Sequence, residues 1–123
     1  MSEDISRLPP QVQERLLRLQ QLQQTLQSVM AQKQQVDAEQ TEVEQTLTEL
    51  QKTADDAIIY KSIGSLLVKS VKAKVTEELA ERKELLTTRS TVLTRQEERL
   101  RTQVKDVQTK LQEDLNPAAQ PSP

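Results

Sequence analysis

Few residues in this 123-residue chain have the types and spacing that reactive chemistry needs. Asp55-Asp56 is a carboxylate pair, the usual starting point for general acid–base work, but adjacent side chains point apart in a helix or a strand and no base lies beside them. A polar pair ending a helix accounts for it better. His and Cys are both absent, which removes thiolate nucleophiles, disulfides, the common zinc ligands and the side chain that titrates near neutrality. A single glycine is too few for a Walker loop or a dinucleotide fingerprint. No catalytic residue, cofactor site or metal site is assigned, and the chain is not read as an enzyme. Lys69, Lys72 and Lys74 form a small basic group next to Glu77 and Glu78, weak grounds for nucleic-acid binding. Arg82 and Arg89 are expected to lay their stems along a helix seam and pair with carboxylates among Asp37, Glu39, Glu42 and Glu44.

What remains is surface, and the elements that present it. Ile58 to Ile63 and Leu66 to Val71 are two runs rich in residues that suit a pleated sheet, and Gly64 lies between them where a reversal needs positive φ. The pattern predicts a β-hairpin over 57–71, with Ile58 and Tyr60 on one face and Ile59 and Ile63 on the other. An isolated two-stranded hairpin is marginal in water, so Ile58, Ile59, Tyr60, Ile63, Gly64, Leu66, Leu67 and Val68 are the candidate oligomerisation residues.

The flanks read as long polar helices, giving a mainly α chain. Pro9-Pro10 suits a helix start, and helix 1 is expected over 9–56 with a seam through Leu19, Leu22, Leu26, Val29, Val36, Val43, Leu47, Leu50, Ala54 and Ala57, interrupted by Lys33 and Gln40. Leu8, Val12 and Leu16 precede Leu19 by steps that predict a stutter. Helix 2, over 72–115, carries Leu79, Leu86, Leu93, Leu100 and Val107 at strict sevens. Its alternate positions are read as Arg82, Arg89, Gln96 and Gln103, with Leu85, Val92, Val104, Leu111 and Leu115 widening the stripe. Glu77 and Glu78 suit its N-terminal turn. The two seams bury each other only if the helices run antiparallel, so the expected fold is a long two-helix coiled coil with the hairpin at one end. Residues 1–8 form an N-terminal arm and 116–123 a disordered tail.

Composition agrees with a seam rather than a compact core. Phe and Trp are absent, hydrophobic residues make up 34% and charged residues 29%, and the sustained heptads argue against disorder. A net charge of -2 with interleaved signs supplies neither a nucleic-acid funnel nor a membrane-binding patch. With no apolar leader and no run long enough to span a bilayer, a cytoplasmic protein outside the secretory route is expected.

The order helix, single hairpin, helix, together with Leu8-Pro-Pro-Gln-Val-Gln13, Ala54-Asp-Asp-Ala57, Tyr60-Lys-Ser62, Gly64, Thr76-Glu-Glu-Leu79 and Gln96-Glu-Glu-Arg99, resembles the prefoldin family, in particular its archaeal β class and the related eukaryotic subunit six. The likeness runs from Leu8 to about Leu115, and a single hairpin separates it from the two-hairpin α class. It implies an ATP-independent chaperone in which four β and two α subunits join hairpins into a double β-barrel, hold unfolded client proteins at the tips of six coiled coils and pass them to a group II chaperonin. The client residues implied here, Leu8, Val12, Leu16, Leu19, Val107, Leu111 and Leu115, are assigned by position alone. A coiled-coil spacer or tether without client binding is the alternative. An RNA-binding helical arm would want a basic stripe that the chain lacks.

Overall fold

A computed structural model describes residues 7–116, so most of the expected arm over 1–8 and nearly all of the expected tail over 116–123 lie outside the described residues. The element order is α1 (Pro10–Gln51), β1 (Ile58–Ile63), β2 (Leu66–Val71) and α2 (Lys72–Leu115). The chain is mainly helical, with one antiparallel hairpin between its two long helices. No described helix is long and apolar enough to cross a membrane.

Local chemistry explains the boundaries. Pro10 opens α1 where its missing N–H costs nothing, and the Pro9 carbonyl accepts from the backbone N–H groups of Val12 and Gln13 at 3.0 and 3.1 Å. At the other end, Lys52 and Thr53 donate to the carbonyls of Glu49 and Leu50 in a tightened last turn. The Thr53 hydroxyl also donates to the Glu49 carbonyl. α1 therefore closes at Gln51, short of the expected 56, and Ala54, Asp55, Asp56 and Ala57 lie in a turn that leads into β1. β2 passes into α2 without a linker, so the first turn of α2 contains no acidic residue and Glu77 and Glu78 do not cap it.

The helices are organised in two compact units. One contains residues 33–92 and the other brings residues 7–32 together with residues 93–116. In the first, Glu39 pairs with Arg82 at 2.7 Å, Gln40 donates to Thr87 at 2.8 Å and Asp37 accepts from Ser90 at 3.2 Å. Glu44 beside Lys83, Gln40 beside Thr87 and Asp37 beside Ser90 match falling numbers on α1 to rising numbers on α2, so the two helices run antiparallel in this unit. Val36, Leu50 and Leu86 are its buried residues, and Leu86 is wholly inaccessible. In the second unit Val12, Leu22, Val29, Leu93 and Leu111 are buried.

Two details of the expected seam need correcting. Arg15 is half-buried and stands three residues after Val12 and four before Leu19, so α1 keeps an unbroken three-four rhythm and the predicted stutter at Leu16 is only apparent. On α2 the residues alternating with the leucines are Ser90, Glu97, Val104 and Leu111, one position beyond those expected. Arg82, Arg89 and Gln96 are exposed, as are Leu85, Val92 and Leu115.

Candidate functional site

The hairpin is the most exposed apolar feature among the described residues. Its register pairs Ile58 with Val71, Ile59 with Ser70, Tyr60 with Lys69, Lys61 with Val68, Ser62 with Leu67 and Ile63 with Leu66. Residues opposite one another share a face, so Ile58, Tyr60, Leu67 and Val71 lie on one side and Ile59, Ile63, Leu66 and Val68 on the other. Ile58, Tyr60, Ile63, Leu66, Leu67, Val68 and Val71 all remain exposed, Leu67 at 72% and Tyr60 at 61%, while Ile59 is half-covered.

Gly64 and Ser65 make the reversal. Gly64 has φ of 58°, and no other described residue has positive φ, which is the signature of a type II′ turn with glycine in its first central position. A Cβ built on Gly64 meets nothing within 4 Å. A side chain there is opposed by torsion alone.

Polar bonds fix this apolar element to α2 and tie together the chain at its base. Lys61 Nζ lies 2.6 Å from Glu78 Oε2, and Lys72 Nζ donates to the Thr53 carbonyl at 2.7 Å and to Asp55 Oδ1 at 3.0 Å. The hydrogen bond from Lys61 holds the Glu78 carboxyl below its ordinary range, helped by the charges of Lys61 and Lys74 and opposed by desolvation. Sequence reasoning missed these anchors. The only signal was the alternation of Lys61 among apolar neighbours, and Lys72 was grouped with a basic cluster although its charge is engaged within the chain.

The residues expected to meet clients fall together in the unit containing the first turns of α1 and the last turns of α2, and most face inward. Val12 and Leu111 are 4% and 6% exposed, and Leu8, Leu16, Leu19 and Val107 are half-buried. Leu115 stands out at 59%, and so does Leu17, which no periodicity picked out because it is off the seam. Arg15 and Asp114 form an ion pair across this end. The Gln13 side chain donates to the Leu8 carbonyl at 2.7 Å.

Several other charged side chains pair within the chain. Of the carboxylates named for the arginines, Glu39 takes Arg82, Asp37 takes the Ser90 hydroxyl and Glu44 lies 3.9 Å from Lys83. Met30 is 41% exposed and touches Arg101 Nη2 at 3.5 Å, so it lies on the rim rather than filling an interior gap.

Comparison with known proteins agrees with this geometry. A family model described as "Prefoldin subunit" matches residues 13–118. The β subunit of prefoldin from Methanosarcina acetivorans is 44% identical over 115 residues, covering 94% of this chain and 98% of the relative. The counterpart from Archaeoglobus fulgidus is 48% identical over 112 residues, covering 91% and 97%. The crystal structure of the prefoldin β subunit from Thermococcus strain KS-1 superposes with a TM-score of 0.80 at 40% identity, over 94% of this chain and 98% of the other.

Proposed function

The chain belongs to the prefoldin family, whose members are chaperone subunits, and on that footing we propose that it is an ATP-independent holdase subunit of the β class. Four copies join two α-type subunits through their hairpins in a double β-barrel. The helix pairs hold unfolded proteins at their ends and deliver them to a group II chaperonin in the cytoplasm.

The observation that carries this reading is the hairpin. Seven large apolar side chains on both faces of a two-stranded sheet stay exposed, and the outer edges of β1 and β2 have no partner strand within the described residues. A monomer with such an element leaves backbone groups unpaired and apolar area wet. Covering each of these side chains is worth roughly 1.5–3 kcal/mol before the costs of association. Strand pairing with other subunits meets both needs at once, whereas a hairpin that merely connects two helices has no use for apolar residues on both faces.

Sizing the full chain alone and then mixed with a cognate α-type subunit tests the assembly. A defined hetero-hexamer is expected; association along the helices that ignores the α-type partner would instead identify a spacer or tether. The client function is tested by trimming the chain to residues 20–104. The trimmed subunit is expected to assemble and to lose most of its ability to keep a denatured protein from aggregating. Full suppression by it would move the client site to the barrel side of the complex.

A further inference from the structure

Near the end of the helix pair a charged pair occupies one layer of the seam, between the aliphatic residues Val12 and Leu111. Arg15 falls on the interior rhythm of α1, three residues after Val12, and Asp114 falls on that of α2, three residues after Leu111. Their side chains are 26% and 19% exposed and they meet across the pair. Val12 and Leu111, one step away on each helix, are buried. An aliphatic pair would fit the same interior positions, as Leu22, Val29 and Leu93 do within the same unit.

The choice of residue changes how that layer responds to its surroundings. A half-desolvated ion pair gains attraction but loses hydration, so it contributes less than an apolar layer of similar volume. Salt screens it, while burial of aliphatic groups is not weakened in that way. The layer at Arg15 and Asp114 is therefore weaker than its neighbours, and its strength is set by ionic conditions. Losing one partner is worse than lacking both, because the other charge is left half-buried and unpaired.

We propose that the Arg15–Asp114 pair is a salt-sensitive latch: it holds the first turns of α1 against the last turns of α2, and its release exposes Val12, Leu16 and Leu111 to apolar segments of an unfolded chain. Use of those residues by a client rests on the holdase reading, whereas the opening and closing of this end does not.

Amide hydrogen exchange over residues 8–19 and 107–115, in the full-length chain and in the assembly it forms, measures the latch without a client. Raising salt from about 0.05 to 1 M is expected to speed exchange in these segments and to leave residues around Leu86 unchanged. Arg15→Glu is expected to speed it roughly tenfold, and Arg15→Glu combined with Asp114→Arg to restore protection, which excludes a general folding defect. Arg15→Leu with Asp114→Leu is expected to slow exchange and abolish its salt dependence. Unchanged exchange in Arg15→Glu, or salt dependence that survives in the double leucine variant, overturns the latch. Suppression of aggregation of a denatured protein, followed in parallel, is expected to fall in the double leucine variant. If exchange shifts as stated while suppression does not move, the client half of the proposal is overturned and the latch stands. If the parent chain in its assembly suppresses nothing, the holdase reading fails and exchange still decides the latch.

Discussion

The hairpin and the helix seam are built from similar aliphatic residues and use them in opposite ways. Along the seam, Leu86, Val36 and Leu50 are buried by the partner helix of the same chain. In the hairpin, Leu66, Leu67 and Ile58 are left in solvent, and the element is bonded to α2 by Lys61 with Glu78, while Lys72 at the start of α2 bonds Thr53 and Asp55 beneath it. Apolar area is non-directional and serves whichever surface covers it, whereas an ion pair fixes one partner at one distance. The chain folds with one set of apolar residues and withholds another, orienting the withheld set by polar contacts that leave its faces free.

The contrast breaks if the two regions cannot be separated. Replacing Ile59 and Val68 with Lys puts two charges on one hairpin face, and the expected result is loss of the hetero-hexamer with helix content largely retained, followed by light scattering and circular dichroism. Normal assembly of the double variant would remove the hairpin from the interface. Helices that melt in the double variant would show that the seam depends on the hairpin after all. The reverse test acts on the seam. In the chain on its own, Leu86→Ala leaves a cavity at a fully inaccessible position and is expected to cost about 2–4 kcal/mol in urea unfolding. Leu67→Ala removes a side chain that is 72% exposed and is expected to cost under about 0.5 kcal/mol there, while weakening assembly with the α-type subunit.

How far each region was legible follows from the same physics. The hairpin was plain because its signal is local: two β-branched runs and one glycine within fifteen residues. The helices were plain because the leucines repeat at sevens. What the sequence did not convey were choices made between distant segments. Arg15 was passed over for Leu16 because a charge looks unfit for a seam until its partner Asp114, on the other helix, is known. On the first half of α2 the two candidate positions between the sevens are equally polar, Arg82 and Arg89 against Lys83 and Ser90, and only Val104 and Leu111, against Gln103 and Lys110, favour the later one. The same limit applies to the turn. One glycine allows more than one reversal, and it is the absence of positive φ at Ser65 that makes this one type II′.

That turn offers a sharper and smaller test of the hairpin. Because a side chain on Gly64 would touch nothing, any loss on substitution is a cost of the backbone conformation, on the order of 1 kcal/mol or more and greater for a β-branched residue. Gly64→Val is expected to weaken assembly more than Gly64→Asn, measured by titrating each variant with the α-type subunit. Equal behaviour of the two would mean that the turn relaxes out of the left-handed region when the hairpin pairs.

The smallest effect expected concerns the polar attachment itself. Glu78 is held below its ordinary range in the folded chain, chiefly by the hydrogen bond from Lys61, so folding favours its ionised form. Its contribution is then fully present above the pKa of the unfolded chain, declines as the pH falls to the ordinary glutamate value and is gone once the pH passes below the lowered one. Glu78→Gln cannot ionise and lacks that contribution at every pH. Thermal unfolding of the two proteins is therefore expected to differ most near neutrality and to converge on acidification through the carboxylate range. Because the pair is partly exposed, added salt is expected to narrow the gap at neutral pH as well. Lys61→Gln removes the same bond from the other side and is expected to abolish the convergence. A gap between Glu78→Gln and the parent that persists unchanged in acid would mean that the hairpin is held to α2 by packing around Ile59 rather than by this pair, and the division between apolar surface and polar attachment would fail at the point where the two meet.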